Sequence, residues 1–145
     1  MTNPNVVPTT AEPEARTGLV DIPPVECWEL LAASNIGRLA VAVGTTPDIF
    51  PVNYFVRDGD IVIHTEAGTK LAAATMMATA AFEIDDFDNE TRKGWSVVVK
   101  GPGREPVHLD ELMALEELAD APWVDAKKTR WIVITPDSVT GRRVP

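Results

Sequence analysis

Asp58-Gly59 stands between two β-rich runs, Ile49-Phe50-Pro51-Val52-Asn53-Tyr54-Phe55-Val56 and Ile61-Val62-Ile63-His64-Thr65. A tight primed turn needs positive φ at both central positions, which Asp tolerates and Gly adopts freely, so the dipeptide commits the two runs to an antiparallel hairpin. Similar short runs recur along the chain: Arg38 to Val43, Ala80 to Asp85, Trp95 to Gly101 and Trp131 to Thr135, with Val139 to Val144 extending the last after Pro136-Asp137. Gly44 to Asp48 reads as a turn and Asp86 to Lys93 as a polar connection. Pro51 interrupts its run. Proline cannot donate to a ladder, so that strand should lie at an edge or carry a bulge there, leaving nearby main-chain groups free.

Helices are short and sit at the joints. Pro23 and Pro24 open a stretch with Val25, Trp28, Leu31 and Ala32 on one face, predicting a helix over residues 24 to 34. Gly68-Thr69-Lys70 opens an alanine-rich helix over 69 to 77, and Leu109, Leu112, Leu115 and Leu118 mark a third over 109 to 120. Six or seven strands with hairpin-length links and few crossover helices predict a mainly β fold, an antiparallel sheet curled into a small barrel. No Gly-rich dinucleotide fingerprint is present.

The 145 residues are one domain's worth, and 45% hydrophobic content is enough for a core. Residues 1 to 18, punctuated by Pro4, Pro8 and Pro13, read as a flexible tail before a domain over 19 to 145. With 22 acidic and 13 basic residues the net charge is -9, which disfavours nucleic acid and anionic membranes as partners. No signal-peptide core or membrane-length apolar run occurs, so a cytoplasmic location is expected.

Cys27 is the single cysteine, and with only His64 and His108 there is no zinc-like spacing and no metal site is expected. Ser96, His64 and Asp85 lack the strained, Gly-flanked elbow of a nucleophilic triad. Asp85, Asp86 and Asp88 read as a solvated acidic stretch. His64 is either a core histidine satisfied by a backbone carbonyl or a ligand contact. At Gly68-Thr69-Lys70 the free N–H groups of a helix start, a hydroxyl and an ammonium come together; the residues are compatible with a phosphate cradle and with a plain helix cap.

The ordered set Gly37-Arg38-Leu39-Ala40, Pro51-Val52-Asn53-Tyr54, Ile63 to Lys70, Gly94 to Gly101 and Thr140-Gly141-Arg142-Arg143 resembles the pyridoxamine 5'-phosphate oxidase-like FMN-binding split-barrel family, in particular its short members related to nitroimidazole-resistance proteins. The resemblance implies a homodimer of split β-barrels with FMN in a groove between subunits, acting as an oxidoreductase on a small organic substrate. By position it implies that Val52 and Asn53 offer main-chain and side-chain groups to the isoalloxazine edge, with Tyr54 nearby, Thr65 under the ring or ribityl chain, and Gly68, Thr69 and Lys70 on the phosphate. Ser96 falls where the central strand supplies a polar ligand, and Trp95 and Trp131 line the groove or serve as core or dimer contacts. No residue is implied as a covalent catalyst. The phosphate clamp and the Arg142-Arg143 end are thinner than in vitamin-processing members, which speaks against pyridoxamine phosphate as substrate. Deazaflavin and haem occupy the same groove in related barrels and are alternatives to FMN here, as is a non-catalytic protein that binds or stores a flavin, haem or tetrapyrrole.

Lys70→Ala is expected to weaken FMN binding by about 1 to 3 kcal/mol, roughly five- to a hundred-and-fifty-fold, through loss of a charge-assisted contact. Calorimetric titration checks this: equal affinity in both proteins reduces the motif to a helix cap.

Overall fold

The computed structural model describes residues 18–65, 75, 79–118 and 130–145. The 1–17 segment, Gly68, Thr69, Lys70, the 69–77 helix apart from Thr75, and the last two residues of the expected 109–120 helix lie outside the described residues. Among the described residues there are eight strands, β1 (Val20–Asp21), β2 (Ile36–Val43), β3 (Thr46–Arg57), β4 (Asp60–Thr65), β5 (Thr79–Asp88), β6 (Lys93–Arg104), β7 (Arg130–Ile134) and β8 (Ser138–Val144), with helices α1 (Pro24–Ala33) and α2 (Leu109–Leu118).

The strands form one antiparallel sheet in the order β1-β8-β6-β5-β2-β3-β4-β7, closed by a further β6–β7 pairing. β6 makes this closure possible by sharing one edge between two partners. Gly94 to Lys100 pair with β8, whereas Gly103 and Arg104 pair with β7. At the changeover the Thr135 N–H donates to the Pro102 carbonyl at 3.1 Å and the Asp137 N–H to the Lys100 carbonyl at 2.7 Å. Gly101 sits there because a Cβ would lie 2.0 Å from the Thr135 carbonyl oxygen. The result is a split barrel, mainly β as the run pattern predicts, with the two-residue β1 as a strand too short to read.

The turns follow their chemistry. Asp58 and Gly59 both adopt positive φ, 52° and 79°, as a primed hairpin turn requires. Between β2 and β3 the turn is tighter than expected: Val43 already pairs with Thr46, leaving only Gly44 and Thr45 as the loop. Pro51 pairs with Arg38 of β2, but β4 joins β3 only from Asn53 onward, so the proline occupies a stretch with one open edge.

Inside the barrel, Leu39, Tyr54, Ile63, Phe82, Val97, Val99 and Ile132 form a continuous core. α1 plugs one end through Cys27 and Leu31, both fully buried. The expected face was different: Val25 is 74% exposed, because the i, i+4 pair Cys27/Leu31 turns inward and leaves Val25 outside. Tyr54 ties this plug to β3, its hydroxyl donating to the Leu31 carbonyl at 2.6 Å and its ring meeting Phe82 edge-on at 4.7 Å. α2 packs on the opposite face of β3, β4 and β7, where Leu115 joins Val62, Trp131 and Val133. β4 over residues 61–63 and β7 over residues 131–134 are buried on both sides, hence their unbroken apolar runs. Leu109 is 70% exposed, because a strict spacing of three drifts about 60° per step around a helix and the stripe cannot all face inward.

Tyr54 is the chain's single tyrosine, and its phenol is pushed up to about 12, first by burial, against the pull of a Ser34 hydrogen bond. An unfolded tyrosine ionises near ~10, so stability is complete below that pH and falls as pH climbs toward the folded value. Ultraviolet titration should therefore show no tyrosinate in the folded protein until pH approaches about 12. Ionisation at the ordinary value without unfolding contradicts the buried Tyr54 contact.

Candidate functional site

Strand alternation decides which side chains a ligand can reach. Apolar residues at Leu39, Val52, Tyr54, Phe82, Ile84 and Val97 fix the inner face, so the residues between them point outward. On the outer face, Arg38 of β2 stands opposite Pro51 of β3 and Glu83 of β5, and Glu83 opposite Val98 of β6. The next row places Asn53 opposite Ile36, and Ser96 between Asp85 of β5 and Arg142 of β8. Ile36 and Ile49 are 57% and 70% exposed on this face, so apolar surface surrounds the polar groups.

An ion-pair cluster crosses the middle. The Arg38 guanidinium donates from Nε at 2.9 Å and Nη2 at 2.7 Å to one oxygen of Glu83, and its Nη2 lies 3.1 Å from Asp85. Arg38 is raised above its ordinary value, first by the Glu83 hydrogen bond. The Glu83 carboxyl is also raised, first by burial and then by its hydrogen bond with Asp85, while Arg38 draws it down. The pair thus presents one fixed cation bracketed by two carboxylates.

The residues singled out in the sequence divide between two faces. Asn53 is exposed and Ser96 half-buried on the outer face. Val52 and Tyr54 point into the core, 5% and 1% exposed. Three consecutive strand residues cannot share a face, so only main-chain groups of Val52 and Tyr54 are open to an outer-face ligand. Trp95 also points inward, half-buried at the open end of the barrel, where with Asp86, Lys93 and Arg143 it lines a cavity of about 280 Å³. Thr65 is half-buried and pairs with Arg130 of β7.

His64 is held between two strands. It stands opposite Asn53 on one side and Trp131 on the other, and its ring stacks on the Trp131 indole at 4.1 Å with planes 7° apart. Trp131 is itself anchored, its Nε1–H donating to Glu116 of α2 at 3.1 Å. The expected backbone carbonyl is missing: among the described residues the buried His64 Nε2 has no hydrogen-bond partner. Burial lowers the His64 pKa, against a smaller upward pull from Glu116. A Ser96, His64 and Asp85 triad does not assemble, because β2 and β3 separate β4 from β5. Nor do the described residues bring three or more His, Cys, Asp or Glu side chains together as metal ligands. No helix among them is long and apolar enough to cross a membrane.

Arg38, Glu83 and their clamp on Asp85 went unread in the sequence. The strand parity set by Leu39, Phe82 and Ile84 puts them on one face, but their meeting depends on a register between residues 45 apart.

A split barrel closed by a shared β6 edge, with a polar and apolar outer face beside Asn53 and Ser96, defines a split-barrel protein of the class the motifs resemble. Residues 23–143 match the family described as pyridoxamine 5'-phosphate oxidase, and the chain belongs to that family. An uncharacterized protein of Mycobacterium tuberculosis is 32% identical over 139 residues, covering 92% of this chain and 91% of the relative. The FAD binding protein from Mycobacterium smegmatis is 35% identical with a TM-score of 0.72, across 86% of this chain and 98% of that one. A conserved protein of unknown function from Corynebacterium diphtheriae superimposes with a TM-score of 0.74 at 26% identity, across 86% of this chain and 97% of that one.

Arg38→Met should raise the Glu83 carboxyl further, because both influences drawing it down come from Arg38. Carbon-detected NMR titration of the glutamate side chains checks this. An unchanged Glu83 midpoint shows that Arg38 and Glu83 do not pair in solution.

Proposed function

We propose that this chain is a homodimeric flavin-binding oxidoreductase that exchanges a hydride or electrons with a small organic substrate. The observation that carries the reading is the outer face, where Asn53, Ser96 and the Arg38–Glu83–Asp85 cluster lie among exposed Ile36, Ile49 and Pro51. A flat aromatic system with a polar rim suits such a surface, since apolar side chains cover its face and hydrogen-bonding groups meet its edge. A second copy laid over the exposed isoleucines would cover them and exclude water from the ring. The residues present therefore fit a flavin.

When bound, the flavin supplies the redox chemistry. The protein's own part is placement: the Asn53 amide and Ser96 hydroxyl orient the polar edge, while the barrel wall and the partner copy keep solvent out. The bracketed Arg38 cation fixes the electrostatics beside that edge. The resemblance implies FMN, and the Mycobacterium smegmatis relative is an FAD binding protein. Both flavins share the isoalloxazine, ribityl chain and first phosphate, so the same outer face serves either.

The test is the purified protein itself. A yellow protein with a flavin spectrum, reduced anaerobically by a nicotinamide or deazaflavin donor and reoxidised by an added acceptor, is the expected result, with twice the chain's mass by light scattering. Mass spectrometry of the released ligand separates FMN from FAD. A colourless protein that takes up neither flavin contradicts the proposal; a Soret band assigns the groove to haem, and a flavin that never turns over leaves a binding or storage protein.

A further inference from the structure

His64 is the described residue whose chemistry the fold leaves unfinished. Its position is heavily determined: the β3–β4 and β4–β7 ladders place it between Asn53 and Trp131, and the Trp131 indole covers one face of the imidazole. The indole in turn is held by its hydrogen bond to Glu116. Two rings parallel within 7° leave the imidazole little freedom to swing toward another partner. Yet Nε2, at the tip of this fixed ring, is buried and unpartnered among the described residues.

Such a group is costly. A buried polar atom without a hydrogen bond keeps the full desolvation cost of its burial, and native structures seldom retain one without a reason. If stacking on Trp131 were the whole role of position 64, a phenylalanine would stack as well and carry no orphaned atom. The missing partner lies in the plane of the ring, where the nitrogen's N–H or lone pair points. The neighbouring position across β3 is Asn53, the exposed outer-face amide to which the flavin reading gives an edge contact.

We propose that His64 Nε2 hydrogen-bonds the bound flavin beside Asn53, making His64 a positioning residue for the cofactor with Trp131 as its back support. This rests on the flavin reading given above. The imidazole acts as a rigid polar pin: stacking fixes its plane, Glu116 fixes the stack, and the ligand supplies the hydrogen bond that the chain withholds. The ordering is complete before the ligand arrives, so little freedom is lost on binding.

Three forms of the full chain test it: wild type, His64→Phe and His64→Gln. Phenylalanine keeps a ring against Trp131 and removes the nitrogen; glutamine places an amide nitrogen close to where Nε2 was. The expected result is that His64→Phe melts at or above the wild-type temperature without ligand but binds flavin about three- to tenfold more weakly, and that His64→Gln recovers part of the loss. Equal flavin affinity in wild type and His64→Phe overturns the proposal, as does a loss that glutamine fails to recover, which would assign the effect to packing. Nitrogen-15 NMR of the wild-type histidines gives an answer that needs no variant: flavin should shift the His64 Nε2 resonance and spare His108. An unmoved His64 Nε2 in the flavin-bound protein also overturns it. A wild-type protein that binds no flavin removes the parent reading and this one together, whereas normal wild-type binding with an unaffected His64→Phe removes this one alone.

Discussion

The shared edge of β6 is the constraint on which the rest of the structure depends. A strand has two edges, and β6 gives one wholly to β5 while dividing the other between β8 and β7. The division needs two backbones to approach closely at Gly101, where any side chain would collide with Thr135. Pro102 follows at once, its carbonyl accepting from the Thr135 N–H while the Lys100 carbonyl accepts from Asp137. Without that handover the sheet would stay open and its last strands would have unpaired edges. Closure through β6 and β7 encloses the core, and the β8 branch carries Gly141 against Cys27 so that α1 can plug the end.

Once the barrel closes, strand parity distributes the chemistry. Every residue flanking a buried Leu39, Phe82 or Val97 is pushed outward, which is how Arg38, Glu83 and Ser96 come to share a surface while Tyr54 is drawn into the core. The exposed isoleucines at positions 36 and 49 are costly to leave in water. We propose that flavin and a second chain cover this face, apolar in its background and polar at chosen points, as the family resemblance implies.

Much of this was legible before the fold was known. Asp58-Gly59 announced its hairpin, Pro51 announced a strand with one open edge, and the β-branched run after Trp95 announced the central strand. What local pattern could not show was long-range register. Arg38 and Glu83 are separated by 45 residues, and nothing in either neighbourhood points at the other. The helices misled for a different reason: apolar spacing gave their existence, but Val25 and Leu109 lie exposed because the buried stripe is narrower than the apolar one. Val52, Asn53 and Tyr54 were grouped by motif, and alternation leaves Val52 and Tyr54 only their main-chain groups for an outer-face ligand. The His64 and Trp131 stack was hidden because it joins β4 to β7 across sixty-odd residues of chain.

Two surfaces compete for a small planar ligand: the outer face at Asn53 and Ser96, and the cavity lined by Trp95, Lys93 and Arg143 at the open end of the barrel. They lie on opposite sides of the same sheet, so a crystal structure of the protein soaked with flavin discriminates between them directly. The account predicts isoalloxazine density against the outer face, its polar edge within hydrogen-bond distance of the Asn53 side chain. Density in the Trp95 cavity, with the outer face bare, would contradict it.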